Sequence, residues 1–282
     1  MMIKFKYPAI ALGACMLSGL FAGTGSAQAD SAGLLEMAYE VEVKGITVLD
    51  VKYSNVMSGA GFHSQASVKT RGIAAFFSDY VMKVETSGSM VDGQARPTQF
   101  TSVREKKDKT KKIELSWDNN GVVANDRKVG KDPDTQADVD GALTPDVTDM
   151  LTAILQLGTS QTGGPCQSTH RVFDGKEVFE LRFAFAGVGT FRADSEGSYH
   201  GPVYGCQMTY VPVAGRYATK FRDSKEQPPV YRVWLAPVGK DKSGGVLLLP
   251  VRASGKLDGY RFVAHAKYIK VDGQPFNQLT LN

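Results

Sequence analysis

The chain of 282 residues lacks several sequence patterns that identify common classes of enzyme. It has no Gly-x-Ser-x-Gly elbow and no Ser-x-x-Lys pair, which are typical of activated serines. Its four histidines do not form a His-x-His or His-x-x-x-His pair, and no glycine-rich loop joins a predicted strand to a helix. These absences disfavour zinc enzymes and nucleotide-binding proteins, and we predict no metal and no cofactor.

Long apolar runs and a large net charge are also missing. Beyond residue 29 there is no run of 18 apolar residues, so the sequence predicts no membrane-spanning helix there. The formal net charge is only +4, and two of the lysines, Lys4 and Lys6, lie at the extreme N-terminus. A balance so close to neutrality does not predict a nucleic-acid partner.

The acidic loop with Asp132, Asp134, Asp138 and Asp140 lacks the spacing of an EF-hand, and we interpret it as a solvated loop rather than a calcium site.

The N-terminus has the pattern of a secretory signal peptide. Lys4 and Lys6 precede an apolar run over residues 7–22, and Ala27-Gln28-Ala29 matches a small-x-small cleavage site. We therefore predict a signal peptide over residues 1–29, a single β-rich domain over residues 30–282, and a periplasmic location. A minor alternative is a lipoprotein, because Leu12-Gly13-Ala14-Cys15 resembles a lipid-attachment box.

Cysteine is scarce, and its distribution agrees with export. Apart from Cys15, the chain contains only Cys166 and Cys206, an even pair for an oxidising compartment. We predict a disulfide between them, which would stabilise the fold by roughly 4 kcal/mol in the chain-entropy model. The alternative is two separately buried, reduced cysteines.

Alternating apolar and polar residues dominate the rest of the chain. The pattern runs through residues 35–43, 112–117, 178–185 and 260–268, and period-two alternation indicates antiparallel strands with one wet face. Turn dipeptides such as Asp92-Gly93 and Asp272-Gly273 separate the runs. About twelve strands are too many for a flat sheet, so we predict a mainly β fold with a single curled sheet, either a barrel, a half-barrel or a spiral.

One main helix interrupts the strands in this prediction. Thr144 is a suitable N-cap, Pro145 suits the first helical position, and Gly158 would end the helix. Apolar residues between them keep helical spacing, including Leu151. We expect this helix to cover an open side or end of the sheet.

Several segments, taken in order, resemble the bacterial exported family known as domain of unknown function 3108. The matching segments are Tyr39-Glu40-Val41 with Gly45-Ile46, residues 69–77, the hairpin 80–97, the strands 100–117, the helix 144–157, residues 172–176, Val233-Trp234-Leu235 and Leu249-Pro250-Val251. The resemblance implies a β-rich exported fold without an established reaction or catalytic residues. More distantly, the architecture is similar to periplasmic lipoprotein carriers and envelope-integrity proteins.

Aromatic residues are plentiful, with 14 Phe, 11 Tyr and two Trp. Inward-facing rings in a curled sheet can line an apolar cleft, as in many ligand sites. The residues that we predict to line it are Phe76, Phe77, Trp117, Phe183, Phe185 and Trp234. The alternative is a filled core, which is usual for small barrels.

Cations are concentrated in one predicted hairpin. They are Arg104, Lys106, Lys107, Lys109, Lys111 and Lys112. They could form a surface patch for anionic lipid head groups or other envelope polyanions, or simply a solvated hairpin whose lysines block edge-to-edge pairing.

These observations predict a non-catalytic envelope-associated protein that binds a lipid-like or other apolar ligand. The first alternative is a protein-binding structural module for envelope maintenance, and the second is a hydrolase. The partner is predicted to be a lipid or an envelope component; the oligomeric state is not predicted.

Overall fold

The computed structural model of this protein describes residues 33–72, 74–75, 79–106, 109–118, 120–127, 139–159, 164–193, 198–224, 227–240, 246–257 and 259–276. The predicted signal peptide, Cys15, Phe76, Phe77, Lys107 and the aspartates at 132, 134 and 138 lie outside these ranges.

Strands make up most of the described chain, as the alternation predicts. The first seven are β1 (Gly33–Val43), β2 (Ile46–Ser58), β3 (Gly61–Thr70), β4 (Tyr80–Val91), β5 (Gln94–Lys106), β6 (Lys109–Asp118) and β7 (Gly121–Arg127). The others are β8 (Val147–Thr148), β9 (Ser168–Phe173), β10 (Val178–Phe191), β11 (Gly201–Ala214), β12 (Val230–Lys240), β13 (Val246–Leu257), β14 (Tyr260–Val271) and β15 (Gln274–Pro275).

All these strands belong to one sheet. Its order is β7-β6-β5-β4-β3-β2-β1-β14-β13-β12-β11-β10-β9-β8, and β15 pairs with β14. The short β8 runs parallel to β9, whereas the other neighbours are antiparallel. The prediction of a mainly β fold with one large antiparallel sheet is thereby confirmed.

The sheet curls until its two edges approach each other. No ladder joins β7 to β8 within the described residues, so the sheet is not closed. Side chains bridge the gap instead: the Trp117 indole Nε1 of β6 donates a hydrogen bond to the Val147 carbonyl of β8, at 2.9 Å. Leu115 of β6 and Phe173 of β9 are buried in the same apolar cluster. The curl therefore creates an enclosed interior although the backbone ladder remains open.

A β-bulge in β14 keeps the apolar residues of this strand on the inner face. The register with β14 shifts between Ala38 and Tyr39. As a result, Met37 pairs with Ile269, and Tyr39 pairs with Ala266. The extra residue in β14 resets the alternation of its side chains. Without it, Ile269 and Ala266 would point to opposite faces of the sheet.

Two of the predicted tight turns show the expected backbone. Asp92 and Gly93 have φ values of 52° and 73°, and Asp272 and Gly273 have φ values of 51° and 75°. Positive φ at both central residues suits the twist of the flanking strands in a two-residue hairpin.

Within the described residues, two helices with complete bounds lie between strands, α1 (Met150–Thr159) and α2 (Arg216–Asp223), and residues 74–75 are also helical. A 3-10 turn occupies Asp140–Ala142. The predicted N-terminus of the main helix was wrong: α1 begins at Met150, and Thr144 does not cap it. Val147 and Thr148 instead pair with Arg171 and Val172 of β9, which holds this segment extended.

Cys166 and Cys206 lie at disulfide distance, with Cα atoms 5.4 Å apart. Both side chains are buried in a cluster with Ala153 and Leu157 of α1. Among the residues that the structure describes, no helix is both long and apolar enough to cross a lipid bilayer.

Candidate functional site

The inner face of the curled sheet and α1 line a partly open apolar cavity of about 540 Å³, called here the α1 cavity. Helix α1 forms one wall through residues such as Ile154 and Leu157. The inner face of the sheet forms the opposite wall, with Leu35 of β1, Val51 of β2 and Phe183 of β10 among the lining residues. The cavity therefore exists because the sheet wraps around the helix without filling the space beneath it.

Small side chains explain why space remains. Ala253 of β13 and Ala264 of β14 are cross-strand partners, and both line the α1 cavity. Ala66 of β3 lines it from the other half of the sheet. A methyl side chain fills much less of the interior than Leu or Phe, so these positions leave a void that larger neighbours do not reach.

Helix α1 packs tightly on β13 at the border of the α1 cavity. A Cβ atom at Gly158 would lie 2.6 Å from the Leu248 carbonyl oxygen, which is closer than real Cβ contacts. The absence of a side chain at this position lets the last turn of α1 approach the strand.

The N-terminus of α1 is held by Asp149, a fully buried carboxyl. Its Oδ1 accepts hydrogen bonds from the backbone N–H groups of Leu151 and Thr152, at 2.9 and 3.0 Å, and so caps the helix. Its Oδ2 accepts from the Thr152 hydroxyl at 2.5 Å and lies 3.0 Å from Thr86 Oγ1 of β4. One side chain thus caps the helix and joins it to the sheet.

Burial raises the pKa of Asp149, although the hydrogen bonds from Thr152, Thr86 and Leu151 oppose the shift. The geometry also accommodates a protonated carboxyl. The Thr86 hydroxyl can donate to the Gln99 carbonyl, 3.0 Å from Oγ1, while a protonated Asp149 donates to the same hydroxyl oxygen. A neutral Asp149 would leave the apolar interior without a buried charge at this point.

A second polar link joins the C-terminal half of α1 to both halves of the sheet. Gln156 Nε2 donates to the Ala95 carbonyl of β5 at 2.7 Å, and its Oε1 lies 2.9 Å from His170 Nδ1 of β9. The His170 Nε2 atom lies 3.0 Å from Ser168 Oγ. Because the Gln156 oxygen faces the imidazole, Nδ1 carries the proton and Nε2 accepts from the serine.

The Ser168–His170–Gln156 chain resembles a hydrolytic relay in its order but differs in its electrostatics. An amide oxygen provides no negative charge to stabilise an imidazolium, unlike the carboxylate of a catalytic triad. Burial lowers the pKa of His170 to about 4, so its imidazole is neutral at neutral pH. We interpret the chain as a structural link between α1 and β9.

Polar atoms in the cavity wall are mostly bonded to other protein atoms. The Tyr39 hydroxyl donates to the Pro250 carbonyl at 2.6 Å, and the Asn55 Oδ1 accepts from the Ser64 hydroxyl at 2.7 Å. Burial raises the pKa of Tyr39 above its usual value and that of Tyr53 to about 12. Both tyrosines are therefore neutral, and they add no charge to the cavity.

The structure distributes the aromatic residues that were predicted to line a cleft. Phe183 lines the α1 cavity. Phe185 is 49 % exposed, Trp117 joins the two sheet edges through its bond to β8, and Trp234 packs against Phe191 with ring centroids 5.5 Å apart. The predicted cleft residues are thus not brought together, and Phe76 and Phe77 lie outside the described residues.

Sequence reasoning missed most of the cavity wall. The alternating Leu35, Met37 and Tyr39 of β1 were correctly assigned to one face, but nothing in a single strand shows which inward residues border empty space. The small residues Ala253 and Ala264 were a usable indication, because alanine at inward positions of neighbouring strands leaves room.

The predicted basic patch lies on the β5–β6 hairpin. Arg104 pairs across the strands with Lys111, and Lys106 pairs with Lys109, so these four side chains share a face and are exposed. Lys112 pairs with Val103 instead, on the other face, and forms an ion pair with Glu114 at 2.6 Å.

One group of potential metal ligands occurs among the described residues, on the outer face of β1 and β14. Glu40, Glu42 and His265 place one ligand atom each within 4.8 Å of the others. Glu40, however, already accepts a hydrogen bond from Arg71 at 2.6 Å and lies 3.6 Å from Lys267 Nζ. Burial alone would raise the pKa of Glu40, but Arg71 and Lys267 together lower it, and a metal ion would have to displace these cations.

Comparisons with known proteins complete the description. A family model described as "Protein of unknown function (DUF3108)" matches residues 38–258, which confirms the resemblance predicted from the order of the segments. Among solved structures, the chain is similar to a "beta-barrel-like protein of domain of unknown function DUF1849" from Brucella abortus, with 11% identity and a TM-score of 0.49 over 85% of this chain and 97% of that chain. No curated protein matches significantly.

Proposed function

We propose that this chain, which belongs to the DUF3108 family, is an exported, non-catalytic envelope protein that binds a lipid-like apolar ligand in the α1 cavity. The observation that carries the proposal is the cavity of about 540 Å³ between α1 and the sheet. Its volume falls within the range of roughly 300–1,000 Å³ that is usual for small-molecule sites.

The chemistry of the wall supports a hydrocarbon ligand. Leu35, Val51, Ile154, Leu157 and Phe183 offer only carbon surface. Because the tyrosine and amide groups nearby are bonded within the protein, a polar ligand would lose its hydration without gaining partners. Each buried methylene contributes about 0.8 kcal/mol. A chain of eight to ten methylenes would therefore gain about 6–8 kcal/mol, which corresponds to micromolar affinity before the costs of ordering the chain.

Export to the periplasm is part of the same proposal. The leader with Lys4, Lys6 and Ala27-Gln28-Ala29 supports it, and so does the disulfide distance between Cys166 and Cys206. In that compartment the protein would meet acyl chains from the surrounding membranes.

Titration with a fluorescent fatty acid tests the proposal. Wild-type protein should bind the probe saturably. Ala253→Phe and Ala264→Phe, made singly, should each weaken binding at least tenfold, because a benzyl group would occupy part of the α1 cavity. Ala184→Phe is the matched control, since Ala184 is exposed on β10, and it should bind like wild type.

Circular dichroism and urea titration would show that the three variants fold. If folded Ala253→Phe and Ala264→Phe proteins both bind the probe as tightly as Ala184→Phe, the α1 cavity is not the binding site. Native mass spectrometry of protein purified from its own envelope would identify a lipid that co-purifies.

A further inference from the structure

Antiparallel pairing gathers several turns at one end of the curled sheet. The β1–β2 turn, the β5–β6 hairpin, the β9–β10 turn and the β13–β14 turn all lie at this end, because each connects an odd strand to the following even strand. We call this end the basic rim and define it by Lys44, Ile46, Lys109, Lys111, Lys176 and Tyr260.

Large apolar side chains protrude from the rim. Ile46 is 54 % exposed and Tyr260 is 52 % exposed. They stand on neighbouring hairpins, since β1 pairs with β14. The Lys44 Nζ atom lies 4.6 Å from the Tyr260 ring centroid. Exposed aromatic and aliphatic residues beside lysine are typical of surfaces that enter the polar boundary of a bilayer.

Cations dominate the part of the rim where the sheet edges meet. Arg104 and Lys111 are directly opposed, as are Lys106 and Lys109. Like charges in cross-strand pairs destabilise a sheet, so this pattern has a cost that a bound anionic surface would relieve. Lys176, on the β9–β10 turn, extends the group: burial lowers its pKa, and so do the charges of Lys111 and Arg104.

Nearby carboxylates are partly engaged elsewhere. Asp174 Oδ1 accepts hydrogen bonds from the backbone N–H groups of Lys176 and Glu177, at 2.9 Å each. Glu177 accepts from the Tyr217 backbone N–H at the start of α2, at 3.1 Å. Glu105 is exposed, but it pairs with Thr110 rather than with a lysine. The described charges at this corner of the rim therefore remain predominantly positive.

We propose that the basic rim docks on the surface of a bilayer that contains anionic phospholipid. Ile46 and Tyr260 would enter the interfacial layer, while Lys109, Lys111 and Lys176 would face the phosphates. Charge alone would also attract a soluble polyanion, but the protruding apolar side chains favour the bilayer, because only a bilayer removes them from water. The proposal goes beyond ligand binding in the α1 cavity and does not depend on it.

Co-sedimentation with vesicles tests the proposal. The protein should bind vesicles of equal parts phosphatidylglycerol and phosphatidylcholine, and bind pure phosphatidylcholine vesicles much more weakly. Lys109→Glu with Lys111→Glu should lower the partition coefficient at least about 20-fold, because each lysine near an anionic surface contributes roughly fivefold. This difference should shrink at high salt.

Ile46→Ser with Tyr260→Ser tests the apolar contribution. This pair should lower vesicle binding about tenfold, and the loss should persist at high salt because apolar burial is not screened. The matched controls lie at the opposite end of the sheet: Arg96→Glu with Arg192→Glu for charge, and Val188→Ser for apolar exposure. All three residues are exposed, and these controls should stay within about twofold of wild type.

Three results would overturn the proposal, provided that circular dichroism shows folded variants. The first is equal binding of wild type to anionic and neutral vesicles. The second is a loss in the controls as large as in the rim variants. The third is unchanged vesicle binding by the Ile46 and Tyr260 variant together with full competition by dextran sulfate, which would identify a polyanion surface instead. Fatty-acid binding by the same variants should be normal, so the two proposals can fail separately.

Discussion

Replacing Asp149 should show how much of the fold depends on one buried carboxyl. Asp149→Ala removes the helix cap of α1 and the side-chain contacts to Thr152 and Thr86. Loss of an N-cap costs about 1 kcal/mol. Each of the two hydroxyl contacts adds about 1 kcal/mol, and relief from burying the carboxyl offsets part of the total. We expect a loss of about 2–3 kcal/mol in the free energy of unfolding.

Asp149→Asn separates the cap from the charge. The asparagine oxygen can still accept from the backbone N–H groups of Leu151 and Thr152, and asparagine caps helices as well as aspartate does. Its amide can donate to the hydroxyl oxygens of Thr152 and Thr86. This variant should therefore lose less than about 1 kcal/mol.

The pH dependence provides the sharper comparison. Because the folded-state pKa of Asp149 is raised, the folded protein binds a proton more tightly than the unfolded chain at this site. The stability from this residue is present below the unfolded pKa and is lost as the pH rises through the folded pKa. Relative to Asp149→Asn, wild type should therefore become less stable as the pH increases from about 4.

Urea titrations followed by tryptophan fluorescence would measure these differences, with Trp117 as a reporter because it bonds to the segment just before α1. The comparison of wild type with Asp149→Asn at each pH cancels contributions from other groups. Equal, negligible losses in Asp149→Ala and Asp149→Asn would refute the capping role. A difference that grows in favour of wild type with rising pH would refute the raised pKa.

Other expectations follow from α1 and its surroundings. Leu151→Ala should cost about 2–5 kcal/mol in urea titration, because Leu151 is only 4 % exposed, whereas Met150→Ala at an exposed position should cost less than about 0.5 kcal/mol; similar losses in both would show that α1 does not pack as described. Burial lowers the pKa of His170 to about 4, so its contribution to the free energy of unfolding is present above the unfolded pKa and decreases by up to about 3 kcal/mol as the solution is acidified. A His170→Gln variant with the same loss of stability in acid as wild type would contradict this. Thiol labelling of denatured, unreduced protein should find Cys166 and Cys206 unreactive, and two labelled thiols would disprove the disulfide.

Local patterns predicted the elements whose stability depends on near neighbours in the chain. The alternation in β1 and β14 identified strands because a pleated strand sends successive side chains to opposite faces. Asp92-Gly93 and Asp272-Gly273 identified turns because the required positive φ is a property of those residues. The order of such segments was enough to indicate the family.

The start of α1 shows where local information was insufficient. Thr144 and Pro145 have the right types for a helix start, but Val147 and Thr148 gain a ladder with β9 that a single segment cannot reveal. Asp149 then becomes the cap, because its carboxyl accepts from the backbone N–H groups of Leu151 and Thr152 and also contacts Thr86 of β4.

The α1 cavity was decided by tertiary structure alone. The sequence by itself determined that the chain forms a mainly β fold with an apolar inner face and one packed helix. Which inward residues touch each other and which border a void depends on how far the sheet curls. That curl brings Ala66 to the same space beneath α1 as the Ala253–Ala264 pair, which is distant from it along the chain. The periodicity of a sequence does not encode which distant residues pack against each other. For this reason the large aromatic residues were predicted to line a space that small alanines leave open.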